Sequence, residues 1–334
     1  MVKPSDKILW LSIIQGWAIL LVVIGHVNAF TYSGVEGEMY PMSTWINRFC
    51  YSFHMPLFMF VSGGLLYFTR LRKGWGTIDL YKDKLKRLLV PFVAFTVIGF
   101  VVKIPVAGMT KSGLDLSVGG FFSAFFNPAD GPLKELWFVG TLMWLMFMYP
   151  VYKIMLRRPW SEWLLLGMTL LPFLFDMHFN VKGWLNLAGV TQYAFYFVGG
   201  ILFFKYDLID FFARHLWATI AITALYLVCF MVGSMPPLVT ASLGILMTFG
   251  WGSRLTRFPH LFSSFRDHSF QIFLVGIFPQ MMVELMVWRH VHAAWMQLPF
   301  YVVSCLLALL CGVVMSRAAS RLKPAWLRWG FGLK

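Results

Sequence analysis

The stretch Ile13–Phe30, IIQGWAILLVVIGHVNAF, is apolar enough to cross a bilayer, yet it carries Gln15 near its start and His26 near its end. At about 100° per residue, the eleven steps between them come to three turns plus roughly 20°, so both side chains share one helical face about 16 Å apart. Hydrocarbon offers a polar group no partner, so that face is expected to look into protein. The segment reads as one helix of a bundle.

The rest of the chain has the same character. Of 334 residues, 59% are hydrophobic, 18% aromatic and only 13% charged, and the mean hydropathy is +0.71. A soluble domain carries about twice that charge. The expectation is an all-α polytopic membrane protein with ten spans: Ile8–Phe30, Phe49–Phe68, Leu88–Val106, Leu136–Leu156, Trp160–Phe175, Trp184–Phe204, Leu216–Val232, Met235–Gly252, Phe270–Val287 and Leu298–Met315. Each is bounded by charge, Pro or Gly, and most reach the roughly 20 residues a hydrocarbon core requires.

Charge sets the orientation. Lys and Arg number 28 against 14 Asp and Glu, a balance that nucleic-acid binding would also produce. Assigned to alternate connections starting with the N-terminus, however, 22 of the 28 fall on one side, including the seven between Arg70 and Arg87. Basic residues gather on the cytoplasmic face, so both termini are expected there, and nucleic acid drops out as a partner. The first span is too long for a secretory signal and lacks a small-residue cleavage site, so it reads as a retained anchor. Cys50, Cys229, Cys305 and Cys311 have no metal-like spacing, and neither a metal site nor a disulfide framework is expected. With no internal repeat, residues 1–334 read as a single integral-membrane domain.

Depth then locates chemistry. Counting 1.5 Å per residue, Gln15 lies about 10 Å and His26 about 27 Å above the inner end of the first helix. In the second span, NRFCYSFHMPLFMFVSGGLLYF, His54 lies about 21 Å above its inner end, so the two histidines can meet in the outer half of the bundle. A histidine inside a membrane can simply hydrogen-bond across helices, but it also suits proton exchange near neutral pH.

These residues carry a resemblance. GWAILLVVIGHV, FHMPLFMFVSGGLLY, KLKRLLVPF, LWFVGTL and SFQIFLV occur in the order and span positions of membrane acyltransferase family 3. The chain is most similar to its fucose 4-O-acetylase-like branch. The resemblance implies a ten-helix enzyme of the bacterial inner membrane that binds no resident cofactor. Its donor would be acetyl-CoA or another acyl-CoA, and its acceptor a sugar hydroxyl on a cell-surface glycan or lipid-linked saccharide. It places the catalytic histidine at His26, as general base or acyl carrier, with His54 as a second catalytic candidate. It places donor-binding cations at Lys84 and Arg87, where positive-inside topology alone also explains them. Glu135 and Trp137, at the outer end of the fourth span, are acceptor-side candidates, with an aromatic belt as the bland alternative for Trp137.

The sequence also departs from the family pattern. Gln15 stands where a basic residue is usual, Ser12 where an acid is common and Gly276 where a histidine commonly follows SFQIFLV. Loss of an acid and a base at i and i+3 together avoids an uncompensated buried charge, so Gln15 is expected to be a neutral substitute on the donor path. Two other classes remain open: a transporter of a glycan or lipid intermediate, and a catalytically silent relative. The Phe121, Phe122, Phe125, Phe126 spacing predicts a short amphipathic helix in the long outer connection.

Overall fold

The computed structural model describes residues 4–27, 41–105, 115–175, 183–288 and 294–333, and among these no residue is in a strand. The helices are α1 (Pro4–Val27), α2 (Pro41–Leu66), α3 (Thr77–Lys84), α4 (Val90–Lys103), α5 (Val118–Phe126), α6 (Trp137–Phe147), α7 (Tyr149–Met155), α8 (Pro159–Leu174), α9 (Ala188–Lys205), α10 (Leu208–Arg214), α11 (Leu216–Val232), α12 (Pro237–Leu255), α13 (Ser269–Val275), α14 (Ile277–Val283), α15 (Gln297–Ser320) and α16 (Ala325–Gly330). Helix covers all or most of the described part of each of the ten expected spans. Three π-helical segments interrupt the pattern at Tyr67–Leu71, Leu85–Leu89 and Glu284–Trp288.

By length and composition, four helical stretches suffice to cross a membrane: Lys7–Val27, Trp45–Leu71, Thr77–Lys103 and Leu298–Ser320. The number rises to seven when each of three bent pairs counts as one span. Two of the bends fall at Pro and Gly. Pro150 stands in the first turn of α7, where it has no N–H for the preceding turn, and α6 meets α7 at 45°. Gly276 separates α13 from α14 at 55°. At 16 residues, α8 falls short of the roughly 20-residue crossing length.

The chain divides into two compact units, residues 1–67 with 200–316 and residues 68–199 with 317–334. In the first, α1 packs against α2, α12, α13 and α14. Phe60, Phe203, Phe204 and Phe249 form an aromatic core with ring centroids 5.0 to 5.6 Å apart. Glycine lets the backbones close on it. A Cβ at Gly200 would stand 2.0 Å from the Phe60 carbonyl oxygen, and one at Gly64, in the SGGLLY motif, 2.4 Å from the Phe204 ring. At the end where α1 begins, the buried Lys7 ammonium pairs with Asp207 and Asp210.

In the second unit, the connection Phe68–Leu89 is folded on itself. The Arg70 guanidinium lies 3.5 Å from the centre of the Trp75 ring and donates to Asp83 at 3.0 Å. The Trp75 carbonyl accepts from Tyr149 Oη and Lys153 Nζ. The expected aromatic helix is present as α5, which Ser117 caps by accepting from the Gly120 amide, with Phe122 and Phe126 exposed. The LWFVGTL motif serves as a dock. Trp184, Leu185 and Asn186 run through three consecutive left-handed conformations, at φ 51°, 55° and 58°, which costs roughly 1–2 kcal/mol per residue. Asn186 Nδ2 donates to Thr141 Oγ1 at 2.8 Å, Trp144 Nε1 donates to the Trp184 carbonyl at 2.7 Å, and the Leu185 carbonyl lies where a Cβ on Gly140 would be, 2.3 Å away.

Candidate functional site

The two histidines expected to meet do so. Packing of α1 on α2 sets the His26 and His54 ring centroids 6.5 Å apart in an edge-to-face arrangement. Each ring is tied to its own helix: His26 Nδ1 lies 2.8 Å from the Val22 carbonyl, and His54 Nδ1 lies 2.7 Å from that of Cys50. A carbonyl only accepts, so Nδ1 is the protonated nitrogen in both neutral rings. The Nε2 lone pair then faces outward from each helix as the basic site. Burial separates their roles, because His54 is 2% exposed whereas His26 is only half-buried. His26 is the more accessible ring.

Tyr51 completes the cluster. Its ring is 4.8 Å from that of His54 and 6.4 Å from that of His26, and it is 48% exposed. It rests on Gly25, where a Cβ would come within 3.3 Å of the ring. Across α1, the buried Gln280 donates from Nε2 to the Val23 carbonyl at 2.8 Å, one residue from the carbonyl that orients His26. Glu284, also buried, follows one turn later where the helix becomes π. Sequence reasoning passed over all three. For Gln280 and Glu284 a signal existed, two polar residues at i and i+4 inside the apolar run Phe270–Val287. For Tyr51 there was none beyond its place three residues before His54.

Midway along α1, Gln15 Nε2 donates to Ser269 Oγ at 2.6 Å. This neutral contact, made to Ser269 rather than to Ser12, satisfies a Gln15 donor. Gly276 has a structural reason of its own. It bonds to the Ile272 carbonyl at 2.7 Å in the bend, and a Cβ there would lie 2.7 Å from that same oxygen. A histidine at this position would press its Cβ on that carbonyl.

The donor candidates fall on two faces of one segment. Lys84 lines an apolar cavity of about 430 Å³ with Tyr81, Leu85, Leu89, Trp144 and Phe147. Arg87 lines a basic pocket of about 260 Å³ with Lys82, Asp83, Lys86, Trp329 and Leu333. Trp137 stacks on Tyr193, with centroids 5.2 Å apart, and Glu135 interacts electrostatically with Lys103. The four cysteines are free thiols.

A family model described as an acyltransferase domain matches residues 8–317. No curated protein and no solved structure matches.

Proposed function

The chain belongs to membrane acyltransferase family 3, and on that premise we propose that it moves an acyl group, acetyl first among them, from cytoplasmic acyl-CoA to a sugar hydroxyl. The acceptor is a cell-surface glycan or lipid-linked saccharide, as the likeness to the fucose 4-O-acetylase branch suggests. The enzyme works in the bacterial inner membrane as a ten-span protein with both termini cytoplasmic. The 22 of 28 basic residues on alternate connections support that topology.

One observation carries the mechanism: the half-buried His26 ring has Nδ1 committed to the Val22 carbonyl, so its free nitrogen is the basic one. In the proposed step, Nε2 takes the proton of the acceptor hydroxyl as the hydroxyl oxygen bonds to the thioester carbonyl carbon. The carbon–sulfur bond breaks, and the CoA thiolate recovers the proton from the imidazolium. The products are an ester and free CoA. General-base assistance of this kind is worth about 10²–10⁴-fold. His54 orients the site from its buried position, Gln15 lies along the donor path, Lys84 and Arg87 hold the donor, and Glu135 and Trp137 serve the acceptor side.

The test is to incubate membranes containing the protein with radiolabelled acetyl-CoA and extracted glycans. Label in an alkali-labile ester on the glycan is the expected result. Label confined to free acetate and unreacted acetyl-CoA would overturn the reading.

A further inference from the structure

The basic pocket does more than collect positive-inside charge. Lys82, Lys86 and Arg87 converge on it, and among the described residues none of the three has an acidic partner within ion-pairing distance. The one carboxylate in the lining, Asp83, is held by Arg70 at 3.0 Å. Three cations therefore face one small cavity with a single carboxylate, Asp83, whose hydrogen bond goes to Arg70 and whose field reaches Arg87.

Two features show that the cavity is built rather than incidental. The first is local helix geometry. In an α-helix residue i+5 lies about 140° around from residue i, which would turn Arg87 away from Lys82. The change to π geometry at Leu85–Leu89, with its wider turn, rotates Arg87 part of the way back toward Lys82, and both line the pocket. The same change leaves Lys84 and Leu85 to line the other cavity. The second feature is the far wall, which comes from the C-terminal segment. Phe331 packs on Phe95 of α4 with ring centroids 5.7 Å apart, holding α16 so that Trp329 faces Lys86, whose Nζ is 4.6 Å from the ring centre. On the same short helix, Trp326 is 65% exposed, and Arg328 Nε is buried with no hydrogen-bond partner among the described residues.

We propose that Lys82, Lys86, Arg87 and Trp329 form a binding site for a phosphate-bearing group, with the C-terminal helix as its wall. Ammonium and guanidinium donors suit phosphate oxygens, and an indole face adds a platform for a planar group or an apolar linker. Two ligands share this chemistry: the nucleotide end of a CoA thioester and the headgroup of an anionic phospholipid. The first source rests on the donor reading above, whereas the second stands without it.

Binding rather than turnover tests the site. The full-length protein in phosphatidylcholine nanodiscs is titrated with adenosine 3′,5′-bisphosphate. In parallel, phosphatidylglycerol retained from mixed-lipid nanodiscs is measured by native mass spectrometry. Each measurement compares wild type with Lys82→Gln/Lys86→Gln, with Trp329→Leu and with the exposed control Lys73→Gln. At least a tenfold loss of nucleotide affinity in the first two variants, with the control unaffected and wild-type binding weakened by added salt, assigns the site to the nucleotide. No nucleotide binding, with selective loss of phosphatidylglycerol in the same variants, assigns it to lipid. If neither ligand distinguishes these variants from wild type, the site does not exist, whatever the outcome for ester formation. An ester-forming enzyme with unchanged binding would thus overturn this inference alone.

Discussion

His26 and Tyr51 differ in what they contribute, and the difference is measurable. In the proposed reaction His26 supplies a lone pair, and the exposed Tyr51 ring beside both histidines supplies a face for the apolar side of the acceptor sugar. Tyr51→Leu is therefore expected to raise the acceptor KM by about tenfold with kcat for bound acceptor little changed, and Tyr51→Trp to retain affinity. Equal KM values for wild type and Tyr51→Leu would remove the ring from acceptor binding. Midway along α1, Gln15→Lys replaces a satisfied amide–hydroxyl pair with an unpaired charge, expected to cost about 3–5 kcal/mol. Ser12→Asp with Gln15→Lys should recover part of that stability in thermal unfolding of the purified protein, and no recovery would mean the two side chains do not couple. The histidines were legible in the sequence because rise per residue alone sets their depth. Tyr51 was not, because its meaning lies in which neighbour Gly25 lets it approach.

At the scale of elements, hydropathy found the helices and missed how they are broken. Runs of apolar residues mark where a helix forms, but the bends at Gly276 and Pro150 separate two pairs of helices in a way that no hydropathy window senses. The π segment at Leu85–Leu89 was likewise invisible, which is why Lys84 and Arg87 were read together although they line different cavities. The left-handed turn at Trp184–Asn186 holds none of the glycines that usually announce one. It persists because Gly140 and Thr141 give it a fitted partner. Gly140→Ala places a methyl group 2.3 Å from the Leu185 carbonyl. The expected effect is a destabilisation of about 1–3 kcal/mol, as overpacking usually brings, seen as a lowered thermal midpoint. An unchanged midpoint would show that the turn yields freely.

For the whole molecule, the central claims are sidedness and acyl transfer. If the connection holding Arg70 to Arg87 is cytoplasmic and that holding α5 is external, an impermeant thiol reagent added outside intact cells should label Val118→Cys and spare Lys73→Cys. Both positions are exposed, so the reversed pattern would invert the topology and with it the depth assigned to His26. The most direct measurement is ester formation by His26→Ala, made in membranes where the variant is inserted at wild-type level. Radiolabelled acetyl transfer to glycan is expected to fall by about 10²–10⁴-fold, and His54→Ala to fall less, since a buried ring that only orients its neighbour takes no proton. Full ester-forming activity in His26→Ala would contradict the account.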